Sequence, residues 1–488
     1  MTVVVVGAGP VGLTAALLLA RRGLDVLVVD RHAAPYPQPR AVHLDDEALR
    51  VLQAAGVADA FVRVSRPMAG LRLLDDAGRT LAEFPRGEGV HGWPQASMFS
   101  QPDLEAVLQE AVDAEPAVEV RRGTELVALA QGGGPVRLTL RDRRTGAGAG
   151  TTADVVLGCD GAHSTVRRLI GGWMHDLGPA ERWLVVDLAS AGPLPVWPGV
   201  NQVCDPARPA TFMPVAGDRY RAEFRLADDE DPAHLDLPAL LARFGAEECT
   251  VVRAAEYTFA ARVADRWRDR RVLLCGDAAH LTPPFIGQGL ALGLRDAHQL
   301  AWKLAAVLAG ADDALLDTHQ AERAPHARAL VRLAVLLGRL MTGGGAPGAV
   351  ARRAVLAGVR RTPALAGFAA GSSSPPLRPG PLVRRARVAP GSPVGVLVPQ
   401  PTVRVDGAAT RLDDVLGPGW AVLTAGGRVP ADWPGRVLRT GPGGLESPEL
   451  ARWLRGRSVL VRPDRIVAAV GPRAVAGHAV GNPFERTR

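Results

Sequence analysis

The stretch TVVVVGAGPVGLTAALLLARRGLDVLVVD, residues 2–30, decides the fold. Its β-branched run at 2–6 reads as a strand buried on both faces. Gly7, Gly9 and Gly12 follow as G-x-G-x-x-G, the apolar run 13–20 reads as a helix ending at Arg21 and Arg22, and a second strand, 25–29, ends on Asp30. This succession forms a dinucleotide-binding unit. The first glycine permits the tight turn, the second lets a pyrophosphate approach, and the third lets helix pack on strand. Asp30 is placed to bond the adenosine ribose hydroxyls. A carboxylate there repels a 2′-phosphate, so the site suits FAD or NAD rather than NADP.

A second stretch, RVLLCGDAAHLTPPFIGQGLALGLRDAHQLAWKL at 271–304, reads as strand, proline-bearing turn, glycine pair and helix. Leu290, Leu294, Ala297, Ala301 and Leu304 recur at helical spacing and predict one apolar face toward a core. Gly287 and Gly289 bracket Gln288, so the backbone there can come close to a bound group. The unpartnered amides of a helix start, added to the helix dipole, favour negative charge. Asp277, at the strand end, can accept hydrogen bonds from ligand hydroxyls. A third strand-to-helix turn, GCDGAHSTVR at 158–167, carries Asp160 and Gly161 at its tip.

With 488 residues, 47% of them apolar, the chain can bury a large core and divide into two or three domains. The formal charge is +7, but 57 basic residues face 50 acidic ones, and Lys303 is the single lysine. No tight basic run with interleaved aromatics marks a nucleic-acid surface. The four cysteines, Cys159, Cys204, Cys249 and Cys275, lack C-x-x-C spacing and read as free thiols of a reducing compartment. No stretch approaches the roughly 20 apolar residues of a membrane span. A soluble cytoplasmic protein is expected, with neither nucleic acid, membrane nor metal as partner.

Between these stretches, 39–50 leads into an amphipathic helix, with Arg40 within reach of phosphate or flavin. Gln101 opens another helix. Segments 124–129 and 136–140 alternate as a hairpin around the glycine turn 132–135, and strands at 183–188, 211–215 and 220–226 predict a separate antiparallel sheet. Helices continue to about Gly367, and a Ser/Pro/Gly-rich linker follows. A tail then shows strands near 394–398, 420–423, 459–461 and 466–470.

GAGPVG at Gly7, CDGAHSTVR at Cys159 and GDAAHLTPP with GQG from Gly276 together resemble the FAD-dependent aromatic hydroxylases, the group A flavoprotein monooxygenases. PRAVHLDDEALR from Pro39, WLVVDLA from Trp183, LLDTHQAERAPHA from Leu315, SPVG from Ser392 and VRPDRIVA from Val461 are similar to the 3-(3-hydroxyphenyl)propionate hydroxylase branch. The resemblance implies an α/β chain: a three-layer Rossmann-like FAD-binding domain (1–70, 100–172 and 270–367), interrupted by an antiparallel substrate-binding sheet (71–99 and 173–269). A linker (368–390) and a thioredoxin-like C-terminal domain (391–488) follow. Without cysteine, that last domain has no thiol redox chemistry.

By the same resemblance, Gly7, Gly9, Pro10, Val11, Gly12, Asp30 and Arg31 hold the ADP half of FAD. Arg40 and Gln101 approach the flavin and its phosphates, and Asp160 and Gly161 belong to a motif for both FAD and the nicotinamide nucleotide. Gly276 and Asp277 meet the ribityl chain, and Pro284, Gly287, Gln288, Gly289 and Leu290 line the flavin edge. NADH or NADPH reduces the flavin, O2 adds to give a C4a-hydroperoxide, and its distal oxygen hydroxylates a phenolic or polycyclic aromatic; the protein is a monomer or homodimer. His43, Tyr220 and Pro284 are the catalytic candidates, with His280 as a further candidate for deprotonating a phenol. Arg182, Arg208 and Arg221 are candidates for a substrate carboxylate. Ile286 replaces a smaller residue of many relatives, and Leu-Ala-Leu-Gly after Gly289 replaces an asparagine-bearing version. A flavin oxidase or dehydrogenase on the same scaffold is disfavoured by the lack of a histidine motif for covalent flavin, and a non-catalytic flavin binder by the intact glycines and Asp277.

Overall fold

The computed structural model describes residues 1–37, 40–343, 348, 374–384, 392–429, 433 and 435–471. The valine run Thr2–Val6 forms the strand expected of it, and its side chains are almost wholly buried on both faces. It lies inside a six-stranded sheet whose order is Val118–Arg122, Asp25–Asp30, Thr2–Val6, Val155–Gly158, Val272–Leu274, Arg268–Asp269. All pairings are parallel except the last, which is an antiparallel edge. The chain runs outward from Thr2–Val6 first to one side and then to the other. This reversal opens a crevice at the carboxyl ends of the strands, where open α/β sheets bind ligands.

Helices Pro10–Ala20, Asp46–Ala55, Gln101–Asp113 and Gly289–Leu308 cover one face of this sheet around a core that includes Leu13, Leu17, Leu49, Leu104, Leu294 and Leu304. The hairpin strands Thr124–Ala130 and Val136–Asp142, extended by Gly148–Ala153, cover the other through Leu126, Leu138 and Leu140. Three layers result, as expected. The helix Gly289–Leu308 departs from expectation in being buried on nearly every side, including at Arg295, Asp296, His298, Gln299 and Lys303. Its polar side meets charges from other elements. Lys303 Nζ lies 3.0 Å from Glu322, whose other oxygen lies 2.9 Å from Arg462 of the C-terminal unit. Burial lowers the lysine to about 8.

The second sheet has seven strands in the order Thr250–Phe259, Glu181–Ala189, Arg219–Arg225, Ala210–Pro214, Val200–Val203, Gly70–Leu74, Thr80–Pro85. It is not wholly antiparallel: Val200–Val203 pairs parallel with Gly70–Leu74. Gly70–Leu74 enters from much earlier in the chain and docks on a free edge, so no hairpin fixes its direction.

The C-terminal unit holds a four-stranded sheet, Arg436–Arg439, Ala421–Thr424, Ser458–Val461, Val467–Val470, with one parallel and two antiparallel pairings. The strand expected at 394–398 is instead a buried coil with one bridge, Leu397 to Ile466, because Val394 and Val398 serve the core directly. Within the expected linker, Leu377 and Val383 also enter that core. Helices expected beyond 343, the linker parts 368–373 and 385–390, and residues 472–488 lie outside the described residues. No helix among the described residues is long and apolar enough to cross a membrane.

Candidate active site

A cavity of about 1700 Å³ runs from the first glycine turn to the inner face of the seven-stranded sheet. At its nucleotide end, Gly7 has φ +108° and a Cβ there would meet Cys159 O at 2.4 Å; a Cβ on Gly12 would meet Gly7 O at 1.9 Å. Both positions require glycine. A Cβ on Gly9 would meet nothing within 4 Å, so its bareness leaves room in the cavity rather than relieving a clash. The helix Pro10–Ala20 begins without a side-chain cap. Its first amides are left for an anion, with Pro10 and Val11 on the lining. Asp30 accepts from the amides of Ala8 and His32, each at 2.7 Å, which fixes the carboxylate at the strand end. Arg31 lines the mouth, exposed.

Midway, Asp277 projects into the cavity, accessible there yet ringed by protein. Burial pushes its carboxyl above the ordinary range despite His280 and Arg40. Gly276 has φ +63°, and a Cβ on Gly293 would meet Val11 at 2.7 Å and the Gly276 Cα at 3.0 Å. The Leu-Ala-Leu-Gly sequence thus ends in a glycine that lets two helix starts and a strand end converge. Pro284–Ile286 forms a tight turn, Gly287 follows at φ +61°, and Gly289 opens its helix with no side-chain cap at Gln288. A Cβ on Gly287 would meet His43 Nδ1 at 2.6 Å. His43 Nδ1 lies 3.3 Å from Gly287 O, and burial lowers the imidazole from its ordinary value, so the neutral ring donates to that carbonyl.

Gln288 offers the cavity only backbone, because its side chain turns inward. Nε2 donates to Asp45 at 2.7 Å and Oε1 accepts from Arg295 at 2.9 Å. Arg295 also grips Asp45 at 2.6 Å and Glu47 at 2.9 Å. This buried brace holds the glycine turn, and only Gln288 among its members is a sequence-level candidate. Leu290 packs beside the nucleotide-layer core.

Asp160 lies on the cavity lining and caps the helix start, accepting from Ser164 Oγ at 2.5 Å and from the Thr165 and Val166 amides at 2.6 and 3.0 Å. Gly161, at φ +77°, faces open space. Gln101 Oε1 accepts from the Ala41 amide at 2.8 Å and its Nε2 donates to Glu105 at 2.7 Å, tying down the loop that bears Arg40. Arg40 lines the cavity with its guanidinium over the Tyr36 ring.

The far end is an apolar chamber whose walls include Trp183, Val185, Leu73, Met213, Phe285 and Met341. Phe285 stands edge-on to Trp183, with ring centroids 5.9 Å apart. Ile286 and Pro284 line the passage between chamber and glycine turn. Tyr220 is not there: alternation along its strand sends it to the opposite face, stacked on Phe212, its hydroxyl accepting from the Leu194 amide at 2.8 Å. His280 is fully buried against Asp296 at 2.6 Å, outside the lining. Arg182 and Arg208 are not on the cavity lining and pair with Glu256 and Glu230. Arg221 lines it, but is bound to Asp187 at 2.8 Å and to Arg40 O. Two lining residues absent from the sequence reading are Arg86, whose buried Nη1 has no hydrogen-bond partner among the described residues, and Glu223. Alternation alone would have selected Glu223, since it shares a face with Arg221.

An elongated cavity with two uncapped helix starts, bare glycines facing open room and a carboxylate at each adjoining strand end fits FAD. A family profile described as FAD binding domain matches residues 1–334. The chain is 36% identical over 433 residues to a probable NADH-specific resorcinol 4-hydroxylase of Rhodococcus jostii, covering 88% of this chain and 79% of the relative. It is 38% identical over 434 residues to a 3-(3-hydroxy-phenyl)propionate/3-hydroxycinnamic acid hydroxylase of Mycolicibacterium gilvum, covering 86% and 75%. Among solved structures, aklavinone-11 hydroxylase in ternary complex with FAD and aklavinone superposes with TM-score 0.79 at 26% identity, covering 99% of this chain and 97% of that one. The flavin-dependent monooxygenase PieE, in complex with FAD and substrate, gives TM-score 0.80 at 25% identity, with 99% and 98% covered.

Proposed function

Since the chain belongs to the group A FAD-dependent aromatic hydroxylases, we propose that it hydroxylates a phenolic ring, using O2 and a nicotinamide nucleotide. FAD, when bound, would supply the redox and oxygen-transfer chemistry, with a nicotinamide nucleotide as electron source and O2 as the source of the oxygen atom gained by the ring. The observation that carries this reading is the single cavity joining the nucleotide crevice to an aromatic-walled chamber past Pro284–Ile286. The Gly7–Gly12 turn and Asp30 hold the ADP half, and Asp277 binds the ribityl hydroxyls. The amides at Gly287–Gly289 would hold the flavin edge, where a helix start favours negative charge. Arg31 and Arg40 guard the phosphate side, while Gly161 leaves room for the visiting nicotinamide nucleotide.

His43 orients the glycine turn, and Pro284 with Ile286 shapes the flavin side of the chamber. Apolar walls exclude water, which protects the reactive flavin from unproductive decay. NADH is the expected reductant, as the resorcinol hydroxylase relative is described as NADH-specific. The one parallel and two antiparallel pairings of the C-terminal sheet support a thioredoxin-like reading of that unit. Function is tested by following NADH and NADPH oxidation by the FAD-loaded protein with a phenol panel and weighing the products. Gain of one oxygen atom supports the reading; desaturation with peroxide release, or oxidation that no phenol stimulates, overturns it.

A further inference from the structure

On the sheet wall of the chamber a polar lane runs beside Arg221. Glu223 is paired in register with Thr211, and Thr211 with Gln202, so the three side chains stand side by side on the cavity face. Two of the three are satisfied within the lane. Thr211 Oγ1 donates to Gln202 Oε1 at 3.0 Å, and Gln202 Nε2 donates to Ala210 O at 3.0 Å. The Glu223 carboxylate has no hydrogen bond among the described residues, although its backbone is paired on both sides. Its nearest charge, Arg221 Nη1, stands 3.9 Å away and donates to Arg40 O, while Nε of the same guanidinium is held by Asp187 at 2.8 Å. A carboxyl only 8% exposed, lining an aromatic-walled chamber without a hydrogen-bond donor, is costly to keep unless something bound there completes it.

We propose that Glu223 is the catalytic residue that receives the ring hydroxyl of the substrate, accepting its hydrogen bond and then its proton. The proposal rests on the hydroxylase reading above and extends it to a named base. In the step, the O–H bond of the phenol breaks, the proton passes to a Glu223 carboxylate oxygen, and the electron pair remains on the ring oxygen. There it enriches the ring carbons ortho and para for attack by an electrophilic oxygen. Burial raises the Glu223 carboxyl above its ordinary value, and Asp187 adds to the rise while Arg221 opposes it, which brings the group toward the acidity of a phenol. The other charged or titratable groups facing it are Arg253, behind Asp187, and, on the cavity lining, Arg86, the neutral His43, Arg262 and Glu256, the last paired with Arg182. His43 is committed to Gly287 O through Nδ1, and Tyr220 faces away, which leaves Glu223 as the acceptor on the sheet wall.

The test uses the FAD-loaded protein and its Glu223→Gln variant. The first readout needs no turnover: 4-nitrophenol, coloured as its phenolate, is bound and titrated with pH. Replacing Glu223 is expected to move the midpoint of the bound chromophore by at least about half a unit, because a neighbouring acid changes the cost of ionisation; an unmoved midpoint overturns the proposal. The second readout is product formation across phenols of graded acidity. Glu223→Gln should lose roughly 10²–10⁴-fold with weakly acidic phenols, and progressively less with those already ionised at neutral pH. An equal loss at every acidity would assign Glu223 a structural role and overturn the proposal. Should the wild-type protein hydroxylate no phenol at all, the functional reading fails while the titration still decides whether Glu223 meets the ring hydroxyl.

Discussion

Arg50 and Asp413, 363 positions apart, meet in a two-point ion pair, Nε to Oδ2 at 2.9 Å and Nη2 to Oδ1 at 2.7 Å, with both side chains buried. Arg50 stands on the helix Asp46–Ala55 and Asp413 in the C-terminal unit. The residues leading into that helix, Asp45 to Glu47, carry the brace that holds Gln288 and Arg295 beside the flavin turn. One short helix therefore connects the C-terminal unit with the cofactor site.

Replacing Arg50 with Met leaves the buried Asp413 carboxylate with Arg465 alone, 3.3 Å away, and the loss expected is up to about 3–5 kcal/mol. Urea unfolding monitored by tryptophan fluorescence measures it, and FAD retention should fall in parallel. Adding Asp413→Asn, which removes the charge but keeps an acceptor for Arg465, should recover part of the loss; an Arg50→Met variant as stable as wild type would refute the coupling.

Gly287→Ala forces a side chain into the left-handed region, about 1–2 kcal/mol unfavourable, and drives its Cβ to within 2.6 Å of His43 Nδ1. FAD should bind at least roughly tenfold more weakly, read from quenching of flavin fluorescence. Combining it with His43→Ala should restore part of the affinity, since only the strain then remains. Unchanged FAD affinity in the single variant would show that the turn can yield.

Asp277→Asn separates binding from stability. In the folded protein burial raises this carboxyl, so the FAD-free protein is at its full stability below the ordinary carboxylate pKa and loses stability as pH rises through the raised value. The asparagine variant should therefore melt higher than wild type at neutral pH without FAD, and hold FAD less well. If FAD occupancy is unaltered, Asp277 has no part in cofactor binding.

Asp46 is pushed up to about 8 by burial and by the neighbouring charges of Asp45 and Glu47. Its contribution is lost as pH climbs from the ordinary 3.8 through about 8, so Asp46→Asn should become increasingly stabilising over that window, by up to a few kcal/mol on the order of 1.4 per pH unit, and level off above it. Melting temperatures of both proteins at stepped pH check the sign; a difference that does not vary with pH removes the assigned cause.

Much of this was legible in the chain because backbone need and residue type coincide. Gly7, Gly12, Gly276 and Gly287 are glycines for reasons of turn and close approach, and strand ends place Asp30 and Asp277 beside them. Residues whose meaning depends on partners distant in sequence were not legible. Asp160 looks like a ligand group at a turn tip and proves to cap its own helix, while Tyr220 has the right chemistry on the wrong face of its strand. Arg295, Asp45 and Glu47 look like ordinary surface charges until folding brings together positions about 250 apart. Spacing along the helix Gly289–Leu308 showed one apolar face, but nothing in that spacing reveals that the opposite face is buried under another part of the chain.

The contact between Lys303, Glu322 and Arg462 also gives the protein a built-in chemical reporter. All other basic side chains are guanidinium or imidazole groups, so apart from the chain's amino terminus this fully buried side chain carries the only primary amine. An amine-directed reagent can reach it only when the C-terminal sheet parts from the central helix. The rate at which Lys303 is acylated, followed by peptide mass, should scale with the population of the opened form, and slow when FAD tightens the brace beside it.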